Sequence, residues 1–172
     1  MKNLTWISVL LIILGAASRL VPHPANFAPI TALALFGGAY LPRKFAFVLP
    51  LAAVFISDWF IGYDPTTIWF VYGSFLLSGL IGLYIRDHKT VSSVVSGTIL
   101  ASLLFFVITN FAVWLNPVST YTKDFKGLIE CYIAAIPFFR NTLMGDMFFT
   151  GVFFGGYELS VRFVRKISPR LF

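Results

Sequence analysis

Nine side chains able to form hydrogen bonds lie inside or beside strongly apolar segments of this 172-residue sequence. They are Arg19, His23, Asn26, Asp58, Asn110, Trp114, Arg140, Asn141 and Asp146. Cationic side chains can meet an anionic group, amides can orient a ligand, carboxylates can accept hydrogen bonds and tryptophan can stack on a ring. Because burying an ionised Asp or Arg in a bilayer costs at least about 2.5–3.5 kcal/mol, such groups normally face a bundle interior or a wet cavity. The set therefore predicts a ligand-binding pocket, with the alternative that its members only hold helices together.

The composition places these residues in a membrane protein. The chain is 58% hydrophobic and only 12% charged, whereas a soluble domain typically carries about 25% charged residues. Apolar segments recur along its whole length, so residues 1–172 are predicted to form a single integral membrane domain. The first segment imitates a cleaved signal peptide, but we expect a retained helix.

Apolar length predicts an all-α, polytopic fold with six transmembrane helices. The predicted spans are residues 4–20, 26–41, 45–62, 67–85, 91–115 and 142–163. A helix needs about 20 residues to cross the hydrocarbon, so the second span is short and could be tilted, broken or only partly embedded. Residues 128–139 form another apolar stretch, which is too short to cross and predicts an interfacial or re-entrant helix before the sixth span.

Basic residues predict the orientation. With a cytoplasmic N-terminus, the inner side holds nine of the 13 lysines and arginines. They are Lys2, Arg43, Lys44, Arg86, Lys89, Arg162, Arg165, Lys166 and Arg170. This asymmetry follows the positive-inside rule, so both termini are predicted to be cytoplasmic and the nine candidate site residues fall in the outer half.

The segment RLVPHPANFAPI, residues 19–30, forms a rigid polar elbow between the first two spans. Its prolines fix their own φ angles, Asn26 is predicted to cap the second helix, and Pro29 suits the first turn. The helix N-terminus would then direct free N–H groups towards the cavity, where Arg19 and His23 add positive charge. An anionic or carbonyl-rich ligand suits this arrangement.

Two further patterns predict contacts between and within helices. Small residues recur at four-residue spacing in several spans, including Gly151 and Gly155 in the sixth, and internal helix packing is the favoured explanation for spans four, five and six. A smooth patch on span one or two could instead dock a partner. Glu158 and Arg162 are spaced for an ion pair on one helical face.

Motifs for several chemistries are missing. The sequence has no GxxxxGK[ST] phosphate loop, no HExxH and no CxxC, and its single cysteine, Cys131, precludes an internal disulfide. Tyr63-Asp64 and Gly145-Asp146 only partly match the paired motifs of presenilin-type aspartyl proteases. We therefore expect no enzyme activity, no catalytic residue, no metal, no cofactor and no nucleic-acid partner.

Several stretches carry a family resemblance. PHPANFAPITALALFGGAY, ISDWFIG, TNFAVWL and IPFFRNTLMGD resemble a bacterial family described only as candidate transport proteins, without an established substrate. The six short spans also resemble the substrate-binding S-components of energy-coupling factor (ECF) vitamin transporters. That resemblance implies uptake of a vitamin, vitamin precursor or cofactor across the bacterial inner membrane. It also implies a transmembrane coupling subunit and ATPases as partners. One relative uses a pocket cysteine, but no motif assigns that role to Cys131.

The leading hypothesis is therefore a substrate-binding subunit of a micronutrient uptake transporter with an outward-facing polar pocket. The alternative is a structural or assembly subunit of a larger membrane complex, in which the polar residues only join helices. An ion or proton pathway is less favoured because the deep aspartates lie on one side.

Overall fold

Six α-helices make up the computed structural model, which describes residues 4–167, and no β-strand occurs within that range. The all-helical prediction is confirmed. The helices are α1 (Thr5–Ser18), α2 (Ile30–Tyr40), α3 (Val48–Ile61), α4 (Ile68–Asp87), α5 (Val91–Leu115) and α6 (Phe125–Ile167). Lys2 and Arg170, which contribute to the predicted inner charge, lie outside the described residues.

Helix α2 is the centre of the fold. Every residue from 31 to 39 is buried, and α2 contacts each of the other five helices. Its 11 residues span about 17 Å at 1.5 Å per residue. This short helix need not match the thickness of a bilayer, because the surrounding helices cover its sides. It offers no smooth surface on which a partner could dock.

Small residues let α4 approach α2 closely. A Cβ atom added to Gly38 would lie 2.3 Å from the carbonyl oxygen of Gly79 and 2.8 Å from the Cα of Gly82. In α5, a Cβ on Gly97 would meet the side chain of Ile85 at 2.7 Å. The prediction of internal packing is therefore confirmed for spans four and five.

The same prediction is wrong for Gly151 and Gly155 in α6. A Cβ atom added to either glycine would meet nothing within 4 Å. Both residues instead line an open groove between α5 and α6. Spacing alone predicts a smooth helical surface, but it does not tell whether another helix covers that surface.

The predicted separate helix at residues 128–139 is also wrong. Residues Phe125–Ile167 form one continuous helix of 43 residues, with Pro137 inside it. Arg140 and Asn141 interrupt the apolar pattern, but both side chains are compatible with helical backbone, so the helix continues. Pro137 has no N–H and therefore leaves the Ile133 carbonyl without its intrahelical donor.

Among the residues that the structure describes, two helices are long and apolar enough to cross a membrane, α4 and α5. Only 33% and 22% of their most apolar stretches are buried, so most of these apolar residues face outward rather than into a protein core. Helices α1, α2 and α3 are apolar but have 14, 11 and 14 residues. The lengths thus support membrane association through α4 and α5, and do not by themselves support six crossings.

The close contact between α2 and α4 predicts that alanine destabilises the protein at a packed glycine but not at an open one. We expect Gly38→Ala to lower the free energy of unfolding by about 1–3 kcal/mol, because its Cβ would overlap the α4 backbone. Gly73→Ala, where a Cβ meets nothing within 4 Å, should be neutral or stabilising by up to about 1 kcal/mol. Thermal unfolding of the detergent-solubilised protein measures both changes, and equal losses in the two variants would contradict this packing.

Candidate functional site

A tight turn shapes the elbow between α1 and α2. The backbone N–H of Phe27 donates to the carbonyl oxygen of Pro24 at 3.0 Å, and Asn26 has φ +61°. Asparagine is among the few residues that tolerate this left-handed conformation. The prediction that Asn26 caps α2 is wrong, because Pro29 is the residue at the N-cap and no side chain caps the helix there. Asn26 belongs to the left-handed turn and lies three residues before the N-cap position of α2.

The elbow packs directly onto α6. A Cβ atom added to Gly145 would lie 3.2 Å from the Cα of Phe27, and the Phe27 ring lies 5.9 Å and 5.7 Å from the rings of Phe148 and Phe149. Asn141 Nδ2 donates to the carbonyl oxygen of Ala25 at 3.0 Å. Asn141 therefore braces the elbow.

Beneath the elbow lies a cavity of about 170 Å³. It is lined by His23, Asn26, Ala28, Ile30, Thr31, Phe105, Thr142 and Asp146. A second cavity of about 90 Å³ shares Asn26, Phe105 and Thr142 with the first and also includes Asn110. Four of the nine predicted site residues, from the elbow, α5 and α6, thus lie around two neighbouring cavities.

Asp146 is the buried acidic group of this site, with 1% of its surface exposed. Its Oδ2 accepts a hydrogen bond from Ser102 Oγ at 2.7 Å. The Thr31 side chain and the Ala32 N–H lie near the carboxylate, but no residue in the range 4–167 makes a well-formed hydrogen bond with Oδ1. The carboxylate also lies close to the uncapped N-terminus of α2, whose partial positive charge favours it. Within residues 4–167, Oδ1 therefore has no hydrogen bond of good geometry, and Asp146 is one of the residues that line the cavity.

Arg19 and Asp58 form a separate, closed network. Arg19 Nη2 lies 2.6 Å from Asp58 Oδ1, and the two side chains are only 8% and 10% exposed. Arg19 also donates to Ser57 Oγ and to the Val54 carbonyl oxygen, and Tyr72 donates to Asp58 Oδ2 at 2.9 Å. This network joins α1, α3 and α4. Neither Arg19 nor Asp58 lines the cavities beneath the elbow.

The remaining predicted residues have diverse surroundings. Asn110 Nδ2 donates to the Phe106 carbonyl oxygen at 2.8 Å, within its own helix. Trp114 Nε1 donates to the Thr122 carbonyl oxygen at 2.8 Å, in the loop that precedes α6. Arg140 lines neither cavity. Buried Cys131 directs its Sγ towards the Asn110 carbonyl oxygen at 3.5 Å and also lies outside the two cavity linings.

Sequence reasoning missed Thr31, Ser102 and Thr142. Ser102 was detectable in principle, because Thr98, Ser102 and Thr109 recur on one face of an otherwise apolar helix. Thr31 and Thr142 carried no such signal, since a single threonine beside a helix start or inside a helix is common.

A second cluster of polar side chains surrounds Glu158, for which the sequence predicted only an ion pair with Arg162. Tyr40 donates a hydrogen bond to Glu158 Oε1 at 2.8 Å, and Lys89 Nζ lies 4.3 Å from the centre of the Tyr40 ring. The predicted pair of Glu158 with Arg162 does not form, since the ion pairs within residues 4–167 are Arg19–Asp58 and Lys126–Glu130. These side chains surround the mouth of a groove of about 670 Å³ between α5 and α6.

The fold and the buried acidic cavity define an all-helical protein with a polar site beneath an interhelical elbow. Comparison with protein families then places the chain: residues 1–168 match a family of unknown function, DUF6580, and the chain belongs to that family. No curated protein and no solved structure matches it. The family description carries no activity, so a functional conclusion must rest on the site.

The closed network predicts a non-additive response to mutation. We expect Asp58→Leu to lower the free energy of unfolding by about 3–5 kcal/mol, because it leaves Arg19 buried without a counter-charge. The double variant Arg19→Met/Asp58→Leu should be considerably more stable than Asp58→Leu alone, because it removes both charges.

Lys126→Gln is the control, because it breaks an exposed ion pair and should change stability by less than about 1 kcal/mol. Chemical unfolding in detergent measures all the variants. Additive losses at Arg19 and Asp58 would contradict a closed pair.

Proposed function

We propose that this protein is a membrane-embedded solute-binding subunit of an uptake transporter, and that the cavity beneath the elbow is its solute site. The observation that carries this proposal is the buried Asp146 carboxylate, which lines a cavity and whose Oδ1 has no well-formed hydrogen bond within residues 4–167. An unsatisfied buried acceptor costs about 1–3 kcal/mol, and more when it is charged. A bound donor would remove that cost.

Membrane placement is the first part of the proposal: six crossings with both termini in the cytoplasm of a bacterial cell. Large side chains at the predicted outer ends of α3 and α4 support it, since Trp59 and Trp69 are 71% and 75% exposed and such aromatic residues favour the membrane interface. Helix α6 would be about 65 Å long at 1.5 Å per residue, so it would extend well beyond a hydrocarbon core of about 30 Å.

The cavity suggests the chemical class of the ligand. The sequence favoured an anionic ligand, but Arg19 already pairs with Asp58, and the residues that line the cavity include a carboxylate, an amide and hydroxyls. These groups suit a hydrogen-bond donor or a cationic group. At about 170 Å³ the cavity is smaller than the roughly 300–1,000 Å³ typical of drug-sized ligands. We therefore propose a small solute, or the amine-bearing end of a larger micronutrient.

Transport requires a driving force, which the solute site does not supply. The resemblance to S-components suggests a separate transmembrane coupling subunit with ATPases, and we include these as proposed partners.

A structural or assembly subunit is the second candidate. It is favoured by the Arg19, Asp58 and Tyr72 network, which joins three helices and uses its polar groups internally. Trp114 and Asn141 likewise bond to the protein's own backbone. A copurified complex of constant stoichiometry without a bound small molecule would favour this candidate.

Bound solute is the direct test of the site. We expect mass spectrometry of the protein purified from its native membrane to detect a copurified small molecule. Asp146→Asn should reduce its affinity by about 10- to 150-fold, because hydrogen bonds to charged groups contribute about 1.5–3 kcal/mol.

Asp64→Asn is the matched control. Asp64 is exposed in the loop between α3 and α4, where hydrogen bonds from Thr66 lower the pKa of its carboxyl group. This variant should retain the wild-type content of the small molecule. Equal content in wild type and Asp146→Asn would contradict the assigned site.

Orientation has its own test, in a Cys131→Ala background that removes the single native thiol. We expect a membrane-impermeant maleimide to label Asp64→Cys in intact cells, because this loop is predicted to lie outside. Lys44→Cys should react only after the cells are broken, because residues 42–44 are predicted to lie inside. Labelling of both variants in intact cells would contradict the proposed topology.

A further inference from the structure

The groove between α5 and α6 is a concave surface to which the proposed function gives no role. Its volume is about 670 Å³, and its apolar lining includes Val94, Val95 and Phe154. Gly151 and Gly155 also line it, and added Cβ atoms there would meet nothing. The groove is therefore a long apolar depression on the side of the helix bundle.

Two cations stand at one end of this groove without a carboxylate partner. Lys89 and Arg162 both line it, and neither has a carboxylate oxygen within 4.0 Å among residues 4–167. The acid nearby, Glu158, accepts the Tyr40 hydroxyl hydrogen bond. Burial lowers the pKa of the Lys89 ammonium group, and the negative charge of Glu158 opposes this shift, so a further anion would favour the charged form of Lys89.

The dimensions suit a lipid rather than a compact solute. The α6 residues that line the groove run from Met147 to Arg162, a distance of about 22 Å along the helix at 1.5 Å per residue. One leaflet of a hydrocarbon core is about 15 Å thick, half of the full thickness. An acyl chain can therefore lie against the glycines while its head group reaches the cations.

We propose that this groove binds one anionic phospholipid, with its phosphate between Lys89 and Arg162 and an acyl chain along Gly151 and Gly155. Charge complementarity selects this occupant, since a net-neutral lipid head group would bring its own cation towards two unpaired cations. The proposal rests on the membrane placement described above, but it does not depend on solute binding at Asp146. The groove lies by the predicted inner ends of α5 and α6, at the level of the inner leaflet.

Native mass spectrometry with added lipid tests the proposal. The full-length protein in detergent is titrated with phosphatidylglycerol or with phosphatidylcholine of identical acyl chains. We expect preferential binding of one phosphatidylglycerol molecule. Lys89→Gln/Arg162→Gln should weaken this binding about 30-fold, since each cation near a membrane surface contributes roughly fivefold.

Two further variants separate the head-group site from general effects. Arg43→Gln/Lys44→Gln removes the same two positive charges outside the groove lining, near the same end of α2, and should change phosphatidylglycerol binding by less than twofold. Gly155→Leu fills the open groove and should prevent acyl-chain binding. The unfolding temperature of this variant should stay close to that of the wild type, which shows that the variant is folded.

Three results would overturn the proposal. They are equal binding of the two lipids, no retained lipid at all, or a copurified protein helix that crosslinks to Gly151→Cys in place of lipid. Failure of the membrane placement is recognised separately, because it changes the labelling of Asp64→Cys and Lys44→Cys. Failure of the solute site leaves the lipid titration unchanged.

Discussion

The burial of α2 on every side is the constraint on which the rest of the structure depends. A helix leaves unsatisfied N–H groups at one end and carbonyl groups at the other, with partial charges of opposite sign. Arg86 of α4 meets the C-terminal end, donating to the carbonyl oxygens of Gly38 and Leu41. Asp146 of α6 lies at the N-terminal end, with Ser102 of α5 holding one of its oxygens. A carboxylate and a guanidinium thus complement the two ends of one central helix.

The two ends of α2 differ in how completely their backbone N–H and carbonyl groups are hydrogen-bonded, and that difference locates the proposed site. At the C-terminal end, one guanidinium bridges two carbonyl groups and the small residues of α4 pack against the helix. At the N-terminal end, the left-handed turn at Asn26 and the proline at the cap position supply no capping side chain. A cavity remains there, lined by Asp146, whose Oδ1 has no well-formed hydrogen bond within residues 4–167. The same acid therefore has a structural role towards α2 and, in this account, an oxygen that can accept a hydrogen bond from a ligand.

Particular residues show how far the sequence could predict this arrangement. Apolar length placed all six helices approximately, because hydrophobic segments of this kind must be helical in a bilayer. The proline-rich elbow and the buried Asp146 were also found, since a charged residue in an apolar segment is conspicuous. The close packing of Gly82 in α4 followed from four-residue spacing, but the spacing did not indicate that Gly38 of α2 is the residue it contacts.

Other features depend on three-dimensional packing and could not be read from a single sequence. Arg19 was assigned to the same pocket as Asp146, but depth in a membrane does not specify which helix faces which neighbour, and Arg19 pairs with Asp58 instead. Glu158 was predicted to pair with Arg162 of its own helix, but it accepts a hydrogen bond from Tyr40 of α2 instead. Residues 128–139 were predicted to be separate from α6 because Arg140 and Asn141 interrupt the apolar pattern. Hydropathy reports the polarity of these side chains, but it does not report that their backbone is helical.

An experimental density map of the protein in a lipid nanodisc tests the central claim most directly. The account predicts that the map contains non-protein density in the cavity beneath the elbow, within hydrogen-bonding distance of Asp146 Oδ1. A cavity filled by the protein's own side chains, with no non-protein density beside Asp146, would contradict the account.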